Sequence, residues 1–119
     1  MALQKVGLGT VTRVALGTTA TVLTVGSAKT CYIRSIICHN IDTVNSSTVK
    51  IHIVPVSGVS AGTASSDNQL AQLTIQPTDT YFFELAYPIT LASTDDTIQV
   101  YNSSTTDAIN VLILGDKEV

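Results

Sequence analysis

Charge is what this chain has least of. Only 13% of its 119 residues are Asp, Glu, Lys or Arg, about half the usual share. The six basic residues stand singly, the net charge is −3 and the isoelectric point lies near 5.0. Phosphate tracking needs clustered cations, so nucleic-acid binding is excluded. There is no Trp, and aromatic residues amount to 5%, which leaves few platforms for stacking bases or sugars. No apolar run approaches the ~20 residues that span a membrane. The opening MALQKVGLGTVTR has no apolar core of secretory type, so no signal peptide is expected.

Apolar residues nevertheless make up 45% of the chain, and mean hydropathy is +0.34. Val and Ile can support a core, which argues against disorder. A Thr-rich surface with few charges suits a subunit packed against neighbours, or simply a hydroxylated solvent face. Chain length fits one domain, residues 1–119, large enough to bury a core without staples.

Apolar residues recur at spacing two in short segments separated by Gly, Pro, Asn, Asp and Ser, which predicts strands almost everywhere. No window of helical length carries a sustained apolar stripe. Residues 1–9 form either a first edge strand or an arm reaching another subunit. Short strands follow at Thr10–Leu16 and Thr18–Val25. Lys29–Asn40 and Ser47–Val56 are then expected to pair as the central hairpin across a turn containing Asp42, Asn45 and Ser46. Further strands are expected at Leu70–Ile75, Thr80–Leu85 with continuation through Ile89–Leu91, Thr97–Tyr101 and Ala108–Leu114. The last is apolar on both faces and therefore central, and Gly115–Val119 reads as a charged tail. Ser57–Gln69 is a loop long enough to be functional or mobile. Eight to nine short strands indicate an all-β fold, an antiparallel β-sandwich of jelly-roll type, with a closed barrel as the alternative.

Parity places Ile33 and Ile37 on the core face with Ile51 and Ile53. The reverse face then holds Tyr32, Ile36, Cys38 and Val54 beside Arg34, Lys50 and His52, too apolar for free solvation. Either a bulge flips part of the strand, or another element or subunit covers it. Leu3, Lys5, Tyr32, Ile36 and Val54 are accordingly the candidate interface residues.

Chemistry is harder to find. Cys31 and Cys38 in one extended strand lie about 23 Å apart, too far for a disulfide, so free thiols are expected. His39 and His52 point to opposite faces, and no Cys-x-x-Cys or His-Glu-x-x-His spacing occurs, so no metal site is expected. Asp95–Asp96, with Asp67 and Asp79 elsewhere, reads as turn chemistry and not calcium ligation. Gly7–Gly9 precedes no helix and makes no phosphate loop. Asn45-Ser46-Ser47 and Asn102-Ser103-Ser104 match the glycosylation pattern by chance. Tyr81, Phe82 and Phe83 form the one aromatic cluster that could face a glycan. With no acid/base pair, nucleophile elbow or metal triad, neither enzyme activity nor a cofactor is expected.

The run TCYIRSIICHNIDTVNSSTVKIHIVPVSG, with its Tyr-Ile-Arg-Ser-Ile-Ile and Lys-Ile-x-Ile-Val-Pro strands, resembles small β-rich accessory proteins of tailed-bacteriophage virions. So does the later DTYFFELAYPITLASTDDTIQVYNSSTTDAINVLILGDKEV, with Leu-x-x-x-Asp-Asp-Thr-Ile-Gln-Val and a final Asn-Val-Leu-Ile strand. In particular the chain is similar to small head proteins of cement or decoration type; the likeness covers most of Thr30–Val119 and is one of pattern. It implies a non-enzymatic homotrimer on the virion surface that clamps neighbouring major-capsid subunits, made in the bacterial host cytoplasm. Related proteins also occur at necks, baseplates and fibres. The resemblance carries over no site residues.

Overall fold

The computed structural model describes residues 3–7, 11–27 and 29–118; for Leu3–Gly7 only the backbone path is described. The chain is all-β, with two antiparallel sheets. The strands are β1 (Leu3–Gly7), β2 (Thr12–Val14), β3 (Thr19–Thr24), β4 (Cys31–Asn40), β5 (Ser47–Val54), β6 (Gln69–Ile75), β7 (Thr80–Leu91), β8 (Thr97–Asn102) and β9 (Ile109–Glu118). One sheet runs β1-β9-β4-β7, with β2 also on β9; the other runs β3-β8-β5-β6. They are called the first and second sheets below. The pairing is nested: β5 with β6, β4 with β7, β3 with β8, and β2 with β9. The chain is thus a long two-stranded ribbon, tipped by the loop after β5, rolled so that β9 also meets β4 and β8 also meets β5.

The expected central hairpin does not form. β4 and β5 lie in opposite sheets, β4 flanked by β7 and β9, β5 by β6 and β8. The reason is the polar chemistry of residues 40–46. Asn40 is buried, and its amide donates to the carbonyls of Asn45, Ile75 and Gln76 at 2.9, 3.1 and 3.3 Å. Its Oδ1 accepts from the Asp42 amide at 3.0 Å. Asp42 in turn accepts from the amides of Val44 and Asn45 and from the Thr106 hydroxyl. These bonds bend the chain away from β4 and deliver it to the other layer.

Asn102 does the same work at the end of β8. Its amide donates to Val14 and Asp107 carbonyls at 3.2 and 3.0 Å, and its Oδ1 accepts from the Ser47 hydroxyl and the Ser104 amide. It is fully buried, so its match to the glycosylation pattern has no accessible acceptor.

Between the sheets the core is aliphatic and mostly β-branched: Ile33, Ile36, Val49, Ile51, Ile75, Ile98, Val100, Ile109 and Ile113 are buried. Such side chains suit pleated strands because their restricted rotamers cost little there. Phe83 packs against this core, whereas Phe82 and Tyr81 are exposed.

A bulge on β4 decides which residues enter the core. Against β9, Ile33 and Ser35 pair with consecutive residues, Gly115 and Leu114. Arg34 is therefore the extra residue, and side-chain parity inverts beyond it. Cys31 and Ile33 point inward before the bulge, Ile36, Cys38 and Asn40 after it; Ile37 turns out and is half-buried. The bulge alternative is the one realised, and the expected core role of Ile37 passes to Ile36. Gly115 permits the close approach, since a Cβ there would lie 2.0 Å from the Tyr32 carbonyl oxygen. The segment expected as a charged tail is thereby strand, with β9 running to Glu118.

Asn102→Ala is expected to lower stability by about 3 kcal/mol, because it strands several buried polar groups at once. Thr105→Ala, on the exposed part of the same turn, should stay within about 0.5 kcal/mol. Urea unfolding of both checks this; similar small losses would show that the Asn102 bonds do not hold the sandwich. The Thr106 hydroxyl and the two turn amides also hold the Asp42 carboxyl down at about 2. A depressed carboxyl stabilises the fold above its ordinary range and loses that contribution as pH falls toward 2. Asp42→Asn should therefore melt several degrees below the native chain at pH 7 and close to it at pH 2. A gap that stays constant with pH would contradict this.

Candidate functional site

The outer face of the second sheet is polar, and the long loop lies over part of it. Residues facing out of β8 and β5 include Thr97, Gln99 and His52, all buried, because residues 55–68 fold back across them. Gln99 Nε2 donates to the Gly62 carbonyl at 3.0 Å and to the Thr97 hydroxyl at 3.0 Å. His52 Nδ1 lies 3.0 Å from both the Ser65 carbonyl and Asn68 Oδ1. Both neighbours are acceptors, so Nδ1 carries the hydrogen, and in the neutral ring Nε2 keeps its lone pair. At the loop's start the Val56 amide donates to Asp96 Oδ1 at 2.8 Å. Gly62 packs so closely that a Cβ would lie 2.6 Å from the Pro55 carbonyl oxygen. Near its end Ser65 and Asn68 cap a single 3-10 turn, Ser66–Asn68, reciprocally. The loop expected to be functional or mobile is thus tied to the sheet at several points.

Beside this loop opens a cleft of about 270 Å³, with Thr19, Lys50, His52 and Tyr101 from the sheet and Gln69 at its rim. Register explains the grouping: Thr19, Tyr101 and Lys50 are directly opposite one another on β3, β8 and β5. The Lys50 ammonium sits 5.8 Å from the centre of the Tyr101 ring, within cation–π range.

The outer face of the first sheet is different. Ile37 lies between Leu112 on β9 and Phe82 on β7, and Val11 precedes β2 beside them. A shallow depression of about 240 Å³ between Val11, Ile37, His39 and Leu112 is almost wholly apolar. Phe82 is 60% exposed and Val11 59%, so the row is open among the described residues. Farther along, β7 carries Leu85–Pro88 between Glu84, which pairs with Ser35, and Ile89, which pairs with Ile33. Leu85 stays packed against the core, while residues 86–88 are exposed, Tyr87 86% so. At the β4 bulge, Arg34 Nε donates to Asp116 Oδ2 at 2.7 Å, while Asp116 Oδ1 is buried with no partner among the described residues.

The five candidate interface residues fare unequally. Ile36 is fully buried in the core because the bulge turns it inward, and Val54 is buried beneath the chain's own loop, where it would contact any Cβ on Gly62. Neither can contact a partner, and both expectations are corrected. Tyr32 is half-buried on the outer face of the first sheet, opposite Asp116 and Thr90. The backbone of Leu3 and Lys5 pairs with Glu118 and Asp116 as an edge strand on β9; their side chains lie outside what is described, as do residues 1–2 and 8–10 of the expected arm. Outward apolar positions that parity reasoning missed are Ile37, which only the bulge turns outward, and Leu112, on a strand apolar on both faces. The exposure of Phe82, by contrast, follows from its alternation with Phe83.

Both cysteines are free and buried. Burial pushes the Cys38 thiol up to about 12 and raises that of Cys31. His39 lies on the outer face of the first sheet, its Nδ1 2.8 Å from the Thr80 hydroxyl, and His52 lies on the second. Among the described residues no three His, Cys, Asp or Glu side chains are close enough to hold a metal, and no helix is long and apolar enough to cross a membrane. Compared with known proteins, no family model matches the chain, and no curated protein matches it significantly.

The thiols give a direct check. A raised thiol leaves the fold fully supported below the ordinary thiol range, and stability falls as pH rises from that range toward 12, because the unfolded chain ionises first. Native protein should therefore react with a thiol reagent orders of magnitude more slowly than unfolded protein, and Cys38→Ala should flatten the loss of stability between pH 9 and 11. Rapid labelling of the native chain would contradict the burial.

Proposed function

We propose that the protein is a non-enzymatic structural subunit of a tailed-phage virion. In this reading it is of cement or decoration type, docks on the outside of the head and clamps neighbouring major-capsid subunits as a homotrimer. Support comes from the sequence resemblance together with one structural observation, the open apolar row Val11–Leu112–Ile37–Phe82 on the first sheet. Single exposed apolar residues are ordinary, but a contiguous row is a feature of interaction surfaces. The two antiparallel sheets with nested strand pairing support a sandwich of the jelly-roll type expected for such a subunit. Symmetric association buries such a face around a closed axis.

Binding to expanded capsid shells lacking the protein, followed by co-sedimentation, tests the reading. Native chain should scatter light as a trimer and saturate the shells. Ile37→Ser combined with Phe82→Ser should keep the fold and lose at least about tenfold in affinity, the equivalent of roughly 1.4 kcal/mol. A monomer that does not bind shells would reject the cement role. Labelling of the tail end in electron micrographs would move the subunit to the neck, tail or baseplate. Phe82, exposed beside Ile37, keeps a host-glycan module as a lesser reading, which binding to neutral glycans lost on Phe82→Ala would favour.

A further inference from the structure

We propose that the cleft on the second sheet binds a single acidic sugar residue, a hexuronate or a related hydroxylated carboxylate. The inference does not depend on the virion reading, since it concerns the opposite face of the sandwich. Among the described residues no carboxylate lines the cleft, although acids outnumber bases nine to six in the chain. Its one cation, Lys50, forms no ion pair among the described residues and is steadied over the Tyr101 ring. A half-buried lysine without a counter-charge favours a ligand that supplies one, and a carboxylate does so through charge-assisted hydrogen bonds.

The rest of the lining argues for hydroxyl groups on the same ligand. Around Lys50 stand the Thr19, Ser66 and Tyr101 hydroxyls and the Gln69 amide, each able to donate and accept. One positive charge among several neutral donor–acceptor groups complements one carboxylate among several hydroxyls. The cleft, about 270 Å³ and open to solvent, is of a size to seat one sugar residue.

The wall is held before any ligand arrives. The bonds from His52 and Gln99 to the Ser65 and Gly62 carbonyls fix the loop beside the floor, so binding orders little backbone and loses little to entropy. They also explain why sheet residues facing outward are polar yet buried: they serve the loop. Lys50, Tyr101 and Gln69 are left for something else.

Nitrogen–proton correlation NMR of the full chain, titrated with sodium glucuronate, tests this. Saturable shifts are expected at Lys50, His52, Ser66, Gln69 and Tyr101, with the outer face of the first sheet unmoved. Lys50→Met keeps the aliphatic stem and should weaken binding about tenfold, with the remaining spectrum unchanged. Gln69→Ala, at the edge strand, should weaken it severalfold and serves if the first variant does not fold. Glucose and inorganic phosphate should each bind about tenfold more weakly. No saturable shift, undiminished binding by both variants, or equal binding of glucose or phosphate would overturn the proposal. Capsid co-sedimentation is read separately, so either reading can fail alone.

Discussion

Two buried asparagines, Asn40 and Asn102, hold the end of the sandwich at which the chain changes sheets after β2, β4, β6 and β8. Each uses both ends of its amide. Asn40 joins the turn after β4 to the end of β6, and Asn102 joins the turn after β8 to β2 and β5. Asp42 and Thr106 then tie the two turns to each other. Without such partners the carbonyls at this end would be buried and unpaired, at about 1–3 kcal/mol apiece. An aliphatic core of Ile and Val is permissive about direction, because its side chains carry no polar atoms to satisfy. Direction is set by this polar end.

The same division explains how much of the fold was legible in the sequence. Strand positions were, because alternation and turn residues are local: β4, β5, β6, β8 and most of β7 and β9 fall where spacing puts them. The central place of β9 followed from its being apolar on both faces. Pairing was not legible. Lys29–Asn40 and Ser47–Val54 have the composition of a hairpin, and only the bonds made by the side chains of Asn40 and Asp42 to Ile75, Gln76 and Thr106, all more than 30 residues away, send them to different layers.

The bulge at Arg34 was visible only as an inconsistency. Strict parity left Ile36 and Cys38 on a face that also held Arg34, more apolar than water favours. The structure resolves this by inverting the strand midway, with Gly115 opposite as the residue that tolerates the contact. Candidate contact residues drawn from strict parity therefore failed at Ile36, which is core, and the outward position fell to its neighbour Ile37. Val54 failed for another reason: its direction was read correctly, but a loop from the same chain covers it. A long Gly/Ser-rich segment gives no local sign that it will be pinned, since the pins, His52 and Gln99, sit on strands elsewhere.

The two outer faces therefore differ for a physical reason that bears on function. On the first sheet the outward row is Leu112, Ile37 and Phe82, and no loop lies over it among the described residues. Leaving that area in water forfeits roughly 25 cal/mol per Å² that burial would recover, so a partner surface that covers it is favoured whatever its sequence, provided its shape fits. On the second sheet the outward residues are mostly polar, and several that the fold does not use for the loop gather around Lys50, which forms no ion pair among the described residues. There a ligand must match groups individually, because an unmatched polar contact costs more than an unmatched apolar one. The adhesion proposed for one face and the recognition proposed for the other would be compatible in so small a domain, because the layer between them is mainly aliphatic and belongs to neither surface.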